Sequence, residues 1–78
     1  MKLPRGVSAD RLIRALEELG YTVIRQKGSH VRLQHEGPPV HGITVPNHQA
    51  LKTGTLHGIL TEVARMRSIS IESIVDLL

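Results

Sequence analysis

The chain has 78 residues, a formal net charge of +3, 40% hydrophobic residues and no cysteine. A chain of this length makes one domain and buries only about 60–65% of its extended-chain surface, so a second independent domain is excluded. Without cysteine there are no disulfides and no cysteine-ligated zinc, and with Tyr21 as the one aromatic residue any nucleic-acid contact must rest on charge and shape rather than base stacking.

Residues 8 to 19 predict the first helix. Leu12, Ile13, Leu16 and Leu19 share a stripe, and Arg11, Arg14, Glu17 and Glu18 lie away from it. Ser8 is placed to accept from a first-turn amide, Asp10 sits near the positive end of the helix dipole, and Val7 can pack on Leu12 as a staple. Gly20 supplies the left-handed stop. Tyr21 to Gln26 predicts a strand through Thr22, Val23 and Ile24, and Gly28 enters positive φ in the next turn without steric cost. A hairpin follows to a strand from His30 to His35, with His30 and Arg32 on one face and Val31 and Leu33 on the other.

Glu36, Gly37, Pro38 and Pro39 cannot continue a hydrogen-bonded strand and predict a loop. Val40 to Val45 resumes strand character with Ile43 and Val45 toward the core, and Pro46 ends it. Asn47 to Leu51 reads as a connector. Thr53 is expected to cap a second helix running to about Met66, with Leu56, Ile59, Leu60 and Val63 as its stripe. Glycine at position 58 costs about 1 kcal/mol relative to alanine inside a helix, so close packing against the sheet or a partner is expected there. Ile71, Ile74, Val75 and Leu78 predict a short last helix capped by Ser70. The fold class is α+β: a three-stranded antiparallel sheet packed by two helices, with a short extra C-terminal helix.

Charge is unevenly distributed. Residues 1–32 hold seven Lys or Arg against three acids, and residues 33–78 hold three against four. The positive half contains the glycine turn, which points to an anionic partner. No apolar run near the N-terminus has the length of a signal peptide or membrane span, so a cytoplasmic protein with no membrane association is expected.

The stretch that carries chemistry is Arg25 to Leu33. A histidine side chain ordinarily titrates near neutral pH, and Arg25, Lys27 and Arg32 can hold an anionic substrate against His30. The turn amides around Gly28 can form an anion-binding concavity, and Ser29 can orient a ligand oxygen or the imidazole. These are parts of a metal-free ribonuclease, which needs a base for the ribose 2′-hydroxyl, an acid for the leaving 5′-oxygen and positive charge for the developing oxyanion. The other four histidines carry less. Neither His-x-x-x-His nor a carboxylate at ligand spacing occurs, so no metal or other cofactor is expected. His35 and His41 beside the polar loop, and His57 in the first turn of a helix, are expected at the surface. Asn47 and His48 directly follow the last strand and could reach the sheet edge as a substrate-side polar pair.

Several short segments occur in a specific order: Leu19-Gly20-Tyr21, Gln26 to His30 (Gln-Lys-Gly-Ser-His), Val45-Pro46-x-His48, Leu51-Lys52-x-Gly54-Thr55-Leu56, Ile59-Leu60 and a terminal Leu-Leu. With that order and spacing, nearly the whole chain resembles the HicA family of bacterial toxins, small messenger-RNA interferases. The resemblance implies a double-stranded-RNA-binding-like α-β-β-β-α core and cleavage of RNA without ribosome or metal. It also implies a catalytic histidine at position 30 and a HicB-type antitoxin that blocks that surface. Two places depart from the family pattern. Val31, Arg32 and Leu33 stand where aromatic residues often follow the histidine, and Arg65, Met66 and Arg67 stand at the helix end usually formed by Ala-Gly.

The sequence thus favours an RNA-cleaving toxin of a toxin–antitoxin pair. His30 would be general base or acid, Lys27 and Arg32 the phosphate and transition-state cations, and Arg25, Gly28, Ser29 and His48 further RNA contacts. The alternative is a non-catalytic double-stranded-RNA-binding module, and a third reading is a module that binds only a protein partner.

Overall fold

A computed structural model describes residues 2–78. Its elements follow the order α1 (Ala9–Glu18), β1 (Thr22–Lys27), β2 (His30–His35), β3 (His41–Pro46), α2 (Thr53–Arg67) and α3 (Ile71–Val75). This is the predicted α+β order, and the boundaries agree within one or two residues except at the end of α3, which stops at Val75 rather than continuing to Leu78. The strands form one antiparallel sheet in the order β1-β2-β3. Alternation sends Val31, Leu33, Ile43 and Val45 to one face, where they are buried with Leu12 and Leu16 of α1, Leu56, Leu60 and Val63 of α2, and Ile74 of α3. On the opposite, outer face, Arg32, Gly42 and Thr44 share a depression with Gly54, Thr55, Gly58, Ile59 and Glu62 of α2, which flanks the sheet along β3.

Local chemistry explains the element ends. Ser8 Oγ accepts from the Arg11 amide at 3.1 Å, and Val7 and Leu12 are both fully buried in the same cluster, as a staple requires. Gly20 takes φ +101° after α1, and a Cβ there would collide with the His35 ring. Ser70 Oγ accepts from the Ser73 amide at 3.1 Å to start α3.

Two expectations are corrected along α2, the Thr53 cap and the close packing of Gly58 against the sheet. Thr53 is its first residue rather than its cap; Lys52 is the N-cap and makes no side-chain capping bond. Gly58 is exposed and a Cβ there would meet nothing within 4 Å, so no contact within this chain accounts for it. The C-cap is Ser68, held left-handed at φ 55° with its amide on the Ala64 carbonyl, a conformation that glycine adopts without the Cβ penalty. The helix therefore ends one residue beyond Met66, and Arg65 and Arg67 lie in its last turn, favourably for the dipole.

Candidate functional site

Gly28 and Ser29 form the two-residue turn between β1 and β2, flanked by the cross-strand partners Lys27 and His30. Gly28 has φ +57° while Ser29 does not enter positive φ, so glycine occupies the first central position as a type II′ hairpin turn requires. The turn is anchored from outside the hairpin. The Asn47 amide donates to the Ser29 carbonyl at 2.6 Å, the His48 carbonyl accepts from the Ala9 amide at 2.9 Å, and the Leu51 amide donates to the Val7 carbonyl at 2.8 Å. The connector after β3 thus ties the hairpin tip to the start of α1.

Register decides which side chains converge. Arg25 lies opposite Arg32, Lys27 opposite His30, and Arg32 opposite Thr44. An irregularity between Val23 and Arg25 lets β1 keep both this alignment and the Val23–Leu33 one. Arg25, Lys27, Gly28, Ser29, His30, Arg32 and Thr44 consequently line one open depression of about 520 Å³ on the outer face. Like charges placed directly opposite in a sheet repel, yet Arg25 and Arg32 are such a pair and Lys27 is beside them. Among the described residues the one carboxylate within 4.0 Å of a basic side chain is Glu62, at His41, so none of these three cations has a carboxylate partner. An anion in the depression would relieve the repulsion.

His30 is exposed. The imidazole hydrogen bonds among the described residues belong to His35 and His41, which leaves both His30 nitrogens open to a ligand. Arg32 behaves differently from the other two cations. Its Nη1 donates to Thr44 Oγ1 at 3.0 Å, and its guanidinium lies over Gly42. Sequence reasoning missed Thr44; its outer-face position follows from alternation once Ile43 and Val45 point inward, but its pairing with Arg32 needs the β2–β3 register. His48 is not brought into this depression. It lines a neighbouring one of about 340 Å³ with Ser8, Asp10, Asn47 and Gln49.

The expectation that His35 and His41 are surface residues is corrected. They are cross-strand partners on the inner face, and both rings pack edge-on to Tyr21, with centroids 5.1 and 5.8 Å away. His35 Nε2 donates to the Leu19 carbonyl at 3.0 Å, and its Nδ1 accepts from the Gly37 amide at 2.8 Å and from Arg67. These partners define a neutral ring with the proton on Nε2. His41 Nε2 donates to Glu62 at 3.1 Å and its Nδ1 accepts from the Tyr21 hydroxyl at 2.7 Å. Burial pushes the Tyr21 phenol above its usual range, Arg67 opposes this and Glu62 adds to it, so the hydroxyl stays a donor. Arg67 also donates to the Pro39 carbonyl, and its guanidinium carbon stands 5.9 Å from the centre of the Tyr21 ring. This cluster joins the end of α1, the β2–β3 loop and α2; both imidazoles have their nitrogens engaged, and Arg67 Nε is buried there without a partner.

Fold and site together define a small α+β domain whose outer sheet face carries an exposed histidine among cations that have no carboxylate partner. The family of the HicA toxin of bacterial toxin–antitoxin systems matches residues 9–64, a span that runs from the first residue of α1 to Ala64 near the end of α2. The chain belongs to the HicA toxin family. Comparison with curated proteins and with solved structures finds no match. Among the described residues no helix is long and apolar enough to cross a membrane.

Proposed function

We propose that this protein is a metal-independent endoribonuclease, the toxin of a type II toxin–antitoxin pair, acting on messenger RNA in the cytoplasm. The observation that carries the reading is the convergence of exposed His30 with Arg25, Lys27 and Arg32 in one open depression. A phosphodiester seated there has its charge neutralised by the three cations. The ribose 2′-oxygen gives up its proton and bonds to the adjacent phosphorus, the bond from phosphorus to the 5′-oxygen breaks, and that oxygen leaves with a proton. The products are a 2′,3′-cyclic phosphate and a 5′-hydroxyl. His30 acts as base in the first transfer or as acid in the second, and Lys27 and Arg32 stabilise the charge that builds on the phosphorane oxygens. Membership of the HicA family supports the toxin assignment and a HicB-type antitoxin that covers the same face.

The test is His30→Ala. Because the ring is exposed, the variant should keep its circular dichroism spectrum while RNA cleavage and growth inhibition are lost. Retained cleavage would refute the role of His30. Salt-sensitive binding of duplex RNA by the wild-type chain, without any product on a gel, would instead identify a non-catalytic module.

A further inference from the structure

Three depressions of the surface adjoin one another. Arg32 and Thr44 line the one around His30, and the same two residues line a second of about 410 Å³ with Gly54, Gly58 and Glu62 of α2. Gly54 in turn lines a third, of about 520 Å³, with Lys2, Arg5 and His57. The series is cationic at both ends. Arg25 and Lys27 stand at the first depression and Lys2 and Arg5 at the third, all four exposed and none with a carboxylate within 4.0 Å among the described residues. Arg32 belongs to the middle, where its guanidinium lies over Gly42 and Nη1 donates to Thr44 Oγ1 at 3.0 Å. Glu62, the acid of that middle section, accepts from His41 Nε2 at 3.1 Å.

We propose that these depressions form one track for single-stranded RNA, running from His30 along the groove between β3 and α2 to a second phosphate site at Lys2 and Arg5. This rests on the ribonuclease reading for the identity of the ligand and goes beyond it by giving the strand a path and a remote anchor. A polynucleotide carries a negative charge at every residue, so a strand held by Arg25 and Lys27 gains from each further cation along its course. Tyr21 is buried, so no aromatic ring is offered to the bases and the hold is on the phosphates. The middle section gives the glycine at position 58 a purpose. It weakens the interior of α2, yet it lacks positive φ and a Cβ there would meet nothing within 4 Å, so neither the backbone nor packing within the chain calls for it. Gly54 and Gly58 are both exposed and lie one helical turn apart on the wall of the groove, where a sugar-phosphate chain can come closer to bare backbone than to a side chain.

The experiment measures binding and cleavage separately on the full chain, with thermal midpoints recorded for every variant. Binding uses a fluorescein-labelled single-stranded RNA of about 12 residues, methylated at every 2′-oxygen so that it stays intact. The double variant Lys2→Ala/Arg5→Ala should raise Kd about 10-fold at low salt and flatten the slope of log Kd against log salt by about 1.4, two phosphates at about 0.7 each. On the unmethylated RNA it should raise KM by a similar factor and leave kcat within about threefold of wild type. Arg11→Ala/Arg14→Ala, which removes two exposed charges from α1, should bind within about threefold of wild type. Gly58→Leu, which fills open space in the middle depression, should weaken binding about 10-fold without lowering the thermal midpoint. The track is overturned, and the ribonuclease reading stands, if Lys2→Ala/Arg5→Ala binds and cleaves like wild type. It is also overturned if the α1 double variant weakens binding equally, because net charge alone then accounts for the effect, or if a duplex of the same sequence binds as tightly as the strand. RNA that is bound with the expected pattern of variants but left intact keeps the track and removes the ribonuclease reading. A wild-type chain that binds no RNA at low salt removes both.

Discussion

The two ends of the sheet use the same residue type in opposite ways. At the hairpin tip His30 is exposed, has both nitrogens open and stands among cations that have no carboxylate partner. At the far end His35 and His41 have every ring nitrogen engaged, by Leu19, Gly37, Arg67, Tyr21 and Glu62, and they wedge Tyr21 into the core. An imidazole whose donors and acceptors are all satisfied specifies tertiary structure, and one left unsatisfied beside uncompensated charge is available to a ligand. The first region should therefore govern activity without stability, and the second stability without chemistry.

The largest expected effect comes from crossing that division at the tip. His30→Ala should cut cleavage by about 10²- to 10⁴-fold, the range of one positioned acid–base group, with an unchanged thermal midpoint. A comparable drop in the midpoint would place His30 in the same class as His35. At the opposite end, Tyr21→Phe strands the Nδ1 acceptor of His41 and should destabilise by about 1–3 kcal/mol in urea unfolding, while activity per folded molecule is kept. Loss of specific activity in the folded fraction would join the two regions.

The same tyrosine has a signature in alkali. Its folded-state pKa lies above the unfolded value of 10.0, so the folded chain holds the phenolic proton more tightly. That contribution to stability is complete below the unfolded pKa and is lost as pH rises through the folded one, so wild type should lose stability above about pH 10 more steeply than Tyr21→Phe. Parallel curves for the two proteins would contradict the buried-donor assignment. The smallest effect expected concerns neither histidine cluster. Ser68→Gly relieves a left-handed C-cap and should stabilise by about 1 kcal/mol, with cleavage unaltered.

Much of this was legible in the chain because local rules and global packing agree. Ser8, Gly20, Gly28 and Ser70 mark ends that the structure keeps, and the stripes of Leu12 and Leu16 and of Leu56, Leu60 and Val63 all enter the core. The alternation that sends Val31 and Leu33 inward also sends His35 inward, and that of Ile43 and Val45 carries His41 with them. Reading those histidines as surface residues gave weight to their polarity and to the nearby loop rather than to period two. Their partners Tyr21, Glu62 and Arg67 lie 14 to 32 residues away from one or other ring, and no local pattern announces such pairings. Thr44 was hidden for the same reason: its link to Arg32 exists only in the β2–β3 register. Lys52 at the cap of α2 and the exposed Gly58 show the converse, where local preference is overruled or left without an intramolecular reason.

The most direct trial of the central claim is to give the purified wild-type chain, in excess chelator, matched oligonucleotides of unmodified RNA and of RNA methylated at every 2′-oxygen, and to identify the product ends by mass spectrometry. Cleavage of the unmodified strand alone, leaving 2′,3′-cyclic phosphate and 5′-hydroxyl ends, is the expected result. Cleavage of the methylated strand, or products bearing a 5′-phosphate, would contradict attack by the ribose hydroxyl and with it the role given to His30.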